Sequence, residues 1–215
     1  MESDCMSEPT AYATFTKKGE NIYRDSTYIQ WGESSKSIGA CLLLNPGSAK
    51  LEKDILTILD ENKHASGQVT TDQTMKQLIT FIERIHGENK AISGRIHIYN
   101  LFNLRNAQDV EAIDAFEALV NAKEINIDDS LISEQELRAH PWMLVGWGVA
   151  QKKKWTNIQL VKDKWRKLIK ETGIPLIGIK HVKHDNYYHP SPPLVKQRQT
   201  RLEELVEIYK NTFEG

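Results

Sequence analysis

The chain has 215 residues, 40% of them hydrophobic and 27% charged, with a formal net charge of −1. That length fits one α/β domain with a sizeable core, and no apolar run approaches the roughly 20 residues of a membrane span. Two cysteines, Cys5 and Cys41, are too few for a cluster-binding or disulfide framework.

The N-terminus, MESDCMSEPT, lacks the basic and apolar regions of a signal peptide, so the expected location is cytoplasmic. Residues 1–10 are expected to be disordered and 11–215 to form a single domain. Tyr12–Thr16 and Ile22–Trp31 alternate as strands do, with Gly19-Glu20-Asn21 as the turn between them. Ile38–Leu44 is a continuous apolar run, the pattern of a strand buried on both faces, with Cys41 as a small core residue. It stops at Asn45-Pro46-Gly47-Ser48. A helix with Leu51, Ile55, Ile58 and Leu59 on one face follows, then a polar loop over Lys63–Val69. Thr71 or Asp72 caps a second helix whose apolar stripe is Met75, Leu78, Ile79 and Ile82.

Arg95–Tyr99 is the second buried strand, running into Asn100-Leu101-Phe102-Asn103. Helical patterns over Asp109–Ala122 and from Asp128 to Ala139 precede a third strand, Trp142–Val145, which ends in Gly146-Trp147-Gly148. A basic amphipathic helix, Thr156–Glu171, leads to a fourth strand, Ile174–Ile179. A terminal helix, Leu194–Phe213, turns Leu202, Leu205, Val206 and Tyr209 inward. Strands alternating with helices predict a three-layer α/β/α sandwich around a central, mainly parallel four-stranded sheet.

Ligands of such sheets gather at the carboxyl ends of the strands. The three most unusual loops fall there, at Asn45–Ser48, Asn100–Asn103 and Gly146–Gly148, and beyond the fourth strand lies His189-Pro190-Ser191-Pro192-Pro193-Leu194. Proline fixes φ and pushes its predecessor into extended geometry, so this loop is stiff and presents the His189 ring rather than packing it. Residues 151–202 hold thirteen Lys/Arg against three Asp/Glu, the footprint of a polyanion partner. The plainer alternatives are a proline-rich surface turn and a set of solvated helix faces. His181 and His184 have no carboxylate or cysteine pattern around them that would complete a metal site.

These segments resemble the uracil-DNA glycosylase superfamily. Leu43-Leu44-Asn45-Pro46-Gly47 is similar to the G-x-N-P-G motif of its mismatch-specific branch, without the leading glycine. Trp147-Gly148-Val149-Ala150-Gln151-Lys152-Lys153 is similar to the W-G-x-x-A-Q-K-K segment of the uracil-specific branch, one residue shorter. His189-Pro190-Ser191-Pro192 resembles the H-P-S-P loop. The N-P, N-L-F and W-G segments also resemble an uncharacterised bacterial and phage family.

The resemblance implies a monofunctional DNA N-glycosylase acting on a flipped-out base, without cofactor or metal, as a monomer. It implies that His189 donates to the pyrimidine O2 as negative charge grows there, that Asn45 holds the attacking water, and that Asn100 reads the base edge. Pro46 and Gly47 would border the base, and Phe102 or Trp31 would stack on it. Ser48, Gly148, Lys152, Lys153, Ser191, Lys196 and Arg198 would contact DNA, with Pro193 and Leu194 where the family places its intercalating leucine.

Two departures bear on the substrate. The uracil-specific branch carries Asp in its water-activating motif and a Tyr soon after, which blocks a C5 substituent. Here Asn45 and Gly47 stand in that motif, so the expected pocket is open at C5 to thymine, hydroxymethylpyrimidines or a larger modified cytosine of phage DNA. Base-excision repair and defence against phages are the settings this suggests. The rivals are a non-catalytic nucleic-acid-binding protein on the same fold and a hydrolase or transferase of small nucleotides.

Overall fold

A computed structural model describes residues 8–47, 49, 52–87 and 90–214; the expectations for Cys5, Ser48 and Leu51 lie outside them. Along the chain run β1 (Thr10–Lys18), β2 (Asn21–Trp31), β3 (Ser37–Leu43), α1 (Lys53–Asn62), β4 (His64–Val69), α2 (Gln73–His86), β5 (Gly94–Asn100), α3 (Asp109–Asn121), α4 (Glu134–Arg138), β6 (Met143–Gly146), α5 (Thr156–Thr172), β7 (Leu176–Ile177) and α6 (Val195–Phe213).

The strands form one mixed seven-stranded sheet in the order β4-β1-β2-β5-β3-β6-β7. The four expected strands are its parallel part, β5-β3-β6-β7. An antiparallel part, β4-β1-β2, extends the sheet through the pairing of β2 with β5, so a four-stranded sheet is too small a description. The stretch expected to be a polar loop, Lys63–Val69, supplies edge strand β4. Only Ala65 and Val69 of that strand are buried, and a half-solvated edge strand carries too little hydrophobic pattern to declare itself.

Other boundaries moved for local reasons. Thr10 already pairs with Gln30, so ordered structure begins inside the segment expected to be disordered. The helix expected from Asp128 shrinks to α4, because Ser133 caps it by accepting from Glu136 N at 3.1 Å. Residues 126–129 instead close on themselves, with Asn126 Oδ1 and Asp129 Oδ2 accepting backbone N–H groups. Asp72, rather than Thr71, caps α2, accepting from Met75 N at 2.9 Å. Ile58 is exposed.

The sheet is covered on both faces, as the apolar run of β3 demands. Cys41 and Leu43 point to a cluster shared with α1, α2 and α6. Ala40, Leu42 and Leu44 point to a second cluster shared with α3, α4 and α5. Burial pushes the Cys41 thiol pKa far up, so it is an inert core group.

The carboxyl ends of β3, β5 and β6 lie at one edge. The segment after β7 returns across that edge, and a Cβ on Gly146 would meet Pro190 Cδ at 2.5 Å. Glycine at the end of β6 is what allows the His189 loop to lie directly on the strand terminus.

Candidate functional site

Two adjoining cavities occupy this edge. The first, about 260 Å³, lies among the β3 end, the loop at residues 106–109, the N-terminus of α2 and the His189 loop; Arg24, Asn45, Gly47, Asp72, His189 and Ser191 are among its walls. The second, about 490 Å³, is bordered by Trp147–Ala150, Lys162, Tyr188 and Arg201. Leu44, Asp109, His189, Pro192 and Pro193 line both, so His189 stands on the partition between them.

Asn45 is held by its amide nitrogen. Nδ2 donates to Asn106 O at 2.9 Å and to Pro46 O at 3.1 Å. Asn106 N returns a bond to Pro46 O at 3.3 Å, which zips the two loops together. With both Nδ2 protons so used, the amide orientation is fixed and Oδ1 keeps its capacity to accept, on a residue that lines the cavity. An acceptor in that place can orient water; an amide cannot take its proton.

His189 is held from the other side. Ser191 N lies 3.1 Å from Nδ1 and can only donate, so in the neutral ring that accepts this bond the proton is on Nε2. The Ser191 carbonyl is 3.0 Å from the same nitrogen, so a ring protonated at Nδ1 would also find a partner. Burial lowers the imidazole pKa from its ordinary value; the Ser191 hydrogen bond and the charges of Asp109 and Asp72 oppose this. A pKa below the ordinary value leaves the ring mostly neutral at pH 7, and in the tautomer that accepts from Ser191 N the donor is Nε2–H.

Three charged residues that the sequence did not single out also face this cleft. Asp72 uses Oδ1 to cap α2; its Oδ2 lies 3.3 Å from where a Gly47 Cβ would be. Asp109 opens α3 and borders both cavities. Arg24 is 4% exposed, with Nε and Nη1 lacking any hydrogen-bond partner. A bulge puts it there. The β1–β2 register shifts between Thr14 and Phe15, so Asp25 and Ser26 are both exposed and Arg24 falls on the same face as buried Phe15 and Ile29. Unbroken alternation would have turned it the other way.

Several expected site residues lie elsewhere. Trp31 pairs with Gly94 at the amino end of β5, the opposite edge of the sheet, and is 3% exposed in the core; it cannot stack on a base held at Asn45. Phe102 is also core, with its ring 4.7 Å from that of Phe116. Asn100 does end β5 beside Leu43, yet it is buried behind the cavity wall with Oδ1 unpartnered. Pro46 is buried and serves the loop through its carbonyl. Arg198 lines the first cavity but donates to Pro192 O at 3.0 Å and Pro193 O at 3.2 Å, clamping the proline loop.

The basic third is more neutralised than its composition suggests. Lys152 and Lys154 pair with Asp114, Lys164 with Asp128, Arg166 with Asp163 and Asp185, and Lys180 with Asp185. Lys162 is buried, donates to Asn186 Oδ1 at 3.0 Å, and has its pKa lowered to about 8 by desolvation. Trp147 is core and donates to the same oxygen. Within 151–202, Lys153, Lys170, Lys183 and Lys196 are exposed cations without a carboxylate partner among the described residues. Leu194 and Val195, 60% and 71% exposed, form an apolar tip just after Pro193, which borders both cavities. Gly148 takes φ +81, a left-handed turn beside the second cavity. No group of His, Cys, Asp and Glu suited to a metal ion exists among the described residues, and none of their helices is long and apolar enough to cross a membrane.

No family model matches the chain, and no curated protein or solved structure matches it.

Proposed function

We propose that the chain is a monofunctional DNA glycosylase that hydrolyses the N-glycosidic bond of a flipped-out, C5-modified pyrimidine and leaves an abasic site. One observation carries the reading. Asn45 and His189 face one cavity from opposite loops, each pinned by the backbone, one keeping an acceptor free and the other a donor.

The pair suits a reaction that makes a cationic sugar and an anionic base. His189 Nε2–H donates to the carbonyl on which charge grows, and Asn45 Oδ1 accepts from the water that attacks C1′. Fixed donors and acceptors of this kind act without reorganisation. Asp72 and Asp109 add negative charge near the developing cation. The first cavity, about 260 Å³, is below the roughly 300–1,000 Å³ of drug-sized sites and suits a single base. The exposed Leu194 and Val195 supply a wedge to fill the vacated stack. With no side chain on Gly47, room remains beside the base. This reading requires no cofactor and no partner besides DNA.

Incubation with duplexes that differ only in one pyrimidine, followed by alkaline cleavage at abasic sites, tests it. Base release from at least one C5-substituted pyrimidine is the expected result. The rival reading, a nucleic-acid-binding protein that lacks the chemistry, predicts retention of DNA with every base intact.

A further inference from the structure

We infer that Arg24 is the anion-receiving group of the first cavity, taking up the negative charge of the pyrimidine as it leaves. The inference rests on the glycosylase reading for the identity of the anion, and on the structure for the site.

A guanidinium removed from water without a partner is strongly unfavourable, and buried charges are ordinarily paired. Arg24 is 4% exposed and, among the described residues, forms neither an ion pair nor a side-chain hydrogen bond. Nε and Nη1 are sealed from solvent without a partner among the described residues, and Arg24 is part of the cavity wall. Desolvation lowers its pKa to about 10, with Asp72 opposing and Arg105 adding to the shift, so it stays charged at neutral pH. A bulge directs the side chain inward although regular strand geometry would not. Gln73 and Thr74 of the first turn of α2 stand at the same wall, with the helix end itself capped by Asp72.

In hydrolysis the C1′–N bond breaks, its electron pair passes to the base ring, and the water oxygen bonds to C1′. The proton released by water ends on the departed base or in solvent. Between bond breaking and reprotonation the base is an anion. His189 donates only one neutral hydrogen bond to it; Arg24 supplies the compensating charge in a site of low dielectric.

The site can be tested without DNA. Free 5-fluorouracil is neutral at pH 6 and anionic at pH 9.5, with no change in shape. Arg24 faces Asp72, Asp109, His189 and Arg198 around the cavity, with Arg105 behind. His189, with its pKa lowered from the ordinary value, is mostly neutral across this window, and Arg24 itself remains largely charged through it. Calorimetry on the full chain should show binding on the order of tenfold or more tighter at pH 9.5 than at pH 6, as an adjacent opposite charge requires. Arg24→Gln, Arg24→Met and Arg24→Lys should all lose the preference at pH 9.5, the lysine because burial would discharge it there, with thermal unfolding confirming the fold.

Equal binding of both forms by the wild type, preference for the neutral form, or no binding of either overturns the inference, even if duplexes lose bases. Loss of the preference in Arg24→Gln while wild type releases no base from any duplex would instead remove the glycosylase reading and leave the anion site standing. If Arg24→Gln fails to fold, the wild-type comparison and Arg24→Lys still decide.

Discussion

Asn45 Nδ2 donates to the backbone carbonyl of Asn106 at 2.9 Å across two loops that 61 residues of chain separate. The bond converts an Asn-Pro turn into an oriented acceptor at the cavity wall. It also explains why Asn at the strand end is more than a turn former here: its orientation is set by a distant loop. Asn45→Asp would place an anion against two carbonyls, and so should lower stability as well as alter the site.

His189 should behave as a neutral donor. Its pKa is lowered from the ordinary value, so base release should be level between pH 6.5 and 8, with ring nitrogen shifts reporting the Nε2–H form. His189→Ala should slow the chemical step by roughly 10²–10³-fold if the ring acts as an oxyanion donor, with DNA affinity changed little. Single-turnover rates set against binding isotherms separate the two effects.

DNA affinity should fall with salt, with a slope of roughly −0.9 per phosphate contact. Of the unpartnered cations, Lys153 and Lys196 stand nearest in sequence to the cavity-lining segments 147–150 and 188–193 and should contribute most to that slope. Lys153→Glu and Lys196→Glu should each weaken binding to all sequences alike, whereas Lys154→Glu acts mainly on Asp114. Titrations at several salt concentrations check this, and a flat dependence would remove the basic face from the account.

Gly47→Tyr should discriminate against C5-substituted bases and spare unsubstituted ones, because a ring placed there occupies the space beside the base. Its Cβ would meet Asp72 Oδ2 at 3.3 Å, a tight contact, so the carboxylate that caps α2 must give slightly to admit the change. Release from paired substrates that differ only at C5 provides the readout; equal loss of both would mean that the glycine serves the loop alone.

His140 governs acid stability at the far edge of the sheet. Its Nδ1 is 2.7 Å from Ser37 Oγ and its Nε2 is 2.9 Å from Tyr99 OH, and desolvation with the nearby His97 lowers its pKa from 6.5 to about 4. Between those values the unfolded chain binds the proton that the folded chain refuses, so stability falls as pH falls. The loss between pH 7 and pH 5 should be about 2 kcal/mol at 1.36 kcal/mol per pKa unit. Denaturant unfolding of His140→Gln should show a flatter acid limb.

The parallel core and the loops at its carboxyl edge were legible because β3 is apolar throughout and proline and glycine punctuate the strand ends. Asn45, Gly47, His189 and Ser191 accordingly came together as expected. Strand β4 was not legible, since its solvent side is polar. Arg24 was hidden for a subtler reason: its orientation depends on one extra residue in a bulge, and a count of alternation cannot locate that residue. Trp31 and Phe102 misled because an aromatic near a motif looks available until the sheet order assigns it to the core. The charge excess over 151–202 was real in composition, but Asp114 and Asp128, lying outside that stretch, neutralise part of it.

In the proposed reaction Asn45 positions the water for base release. The direct measurement compares wild type and Asn45→Ala on a duplex bearing one C5-modified cytosine, scoring abasic sites and DNA binding in the same samples. The account predicts abasic sites with the wild type, none above background with Asn45→Ala, and equal binding by both. Activity of Asn45→Ala within a few-fold of the wild type, or bound DNA without abasic sites for every base tried with the wild type, would contradict it.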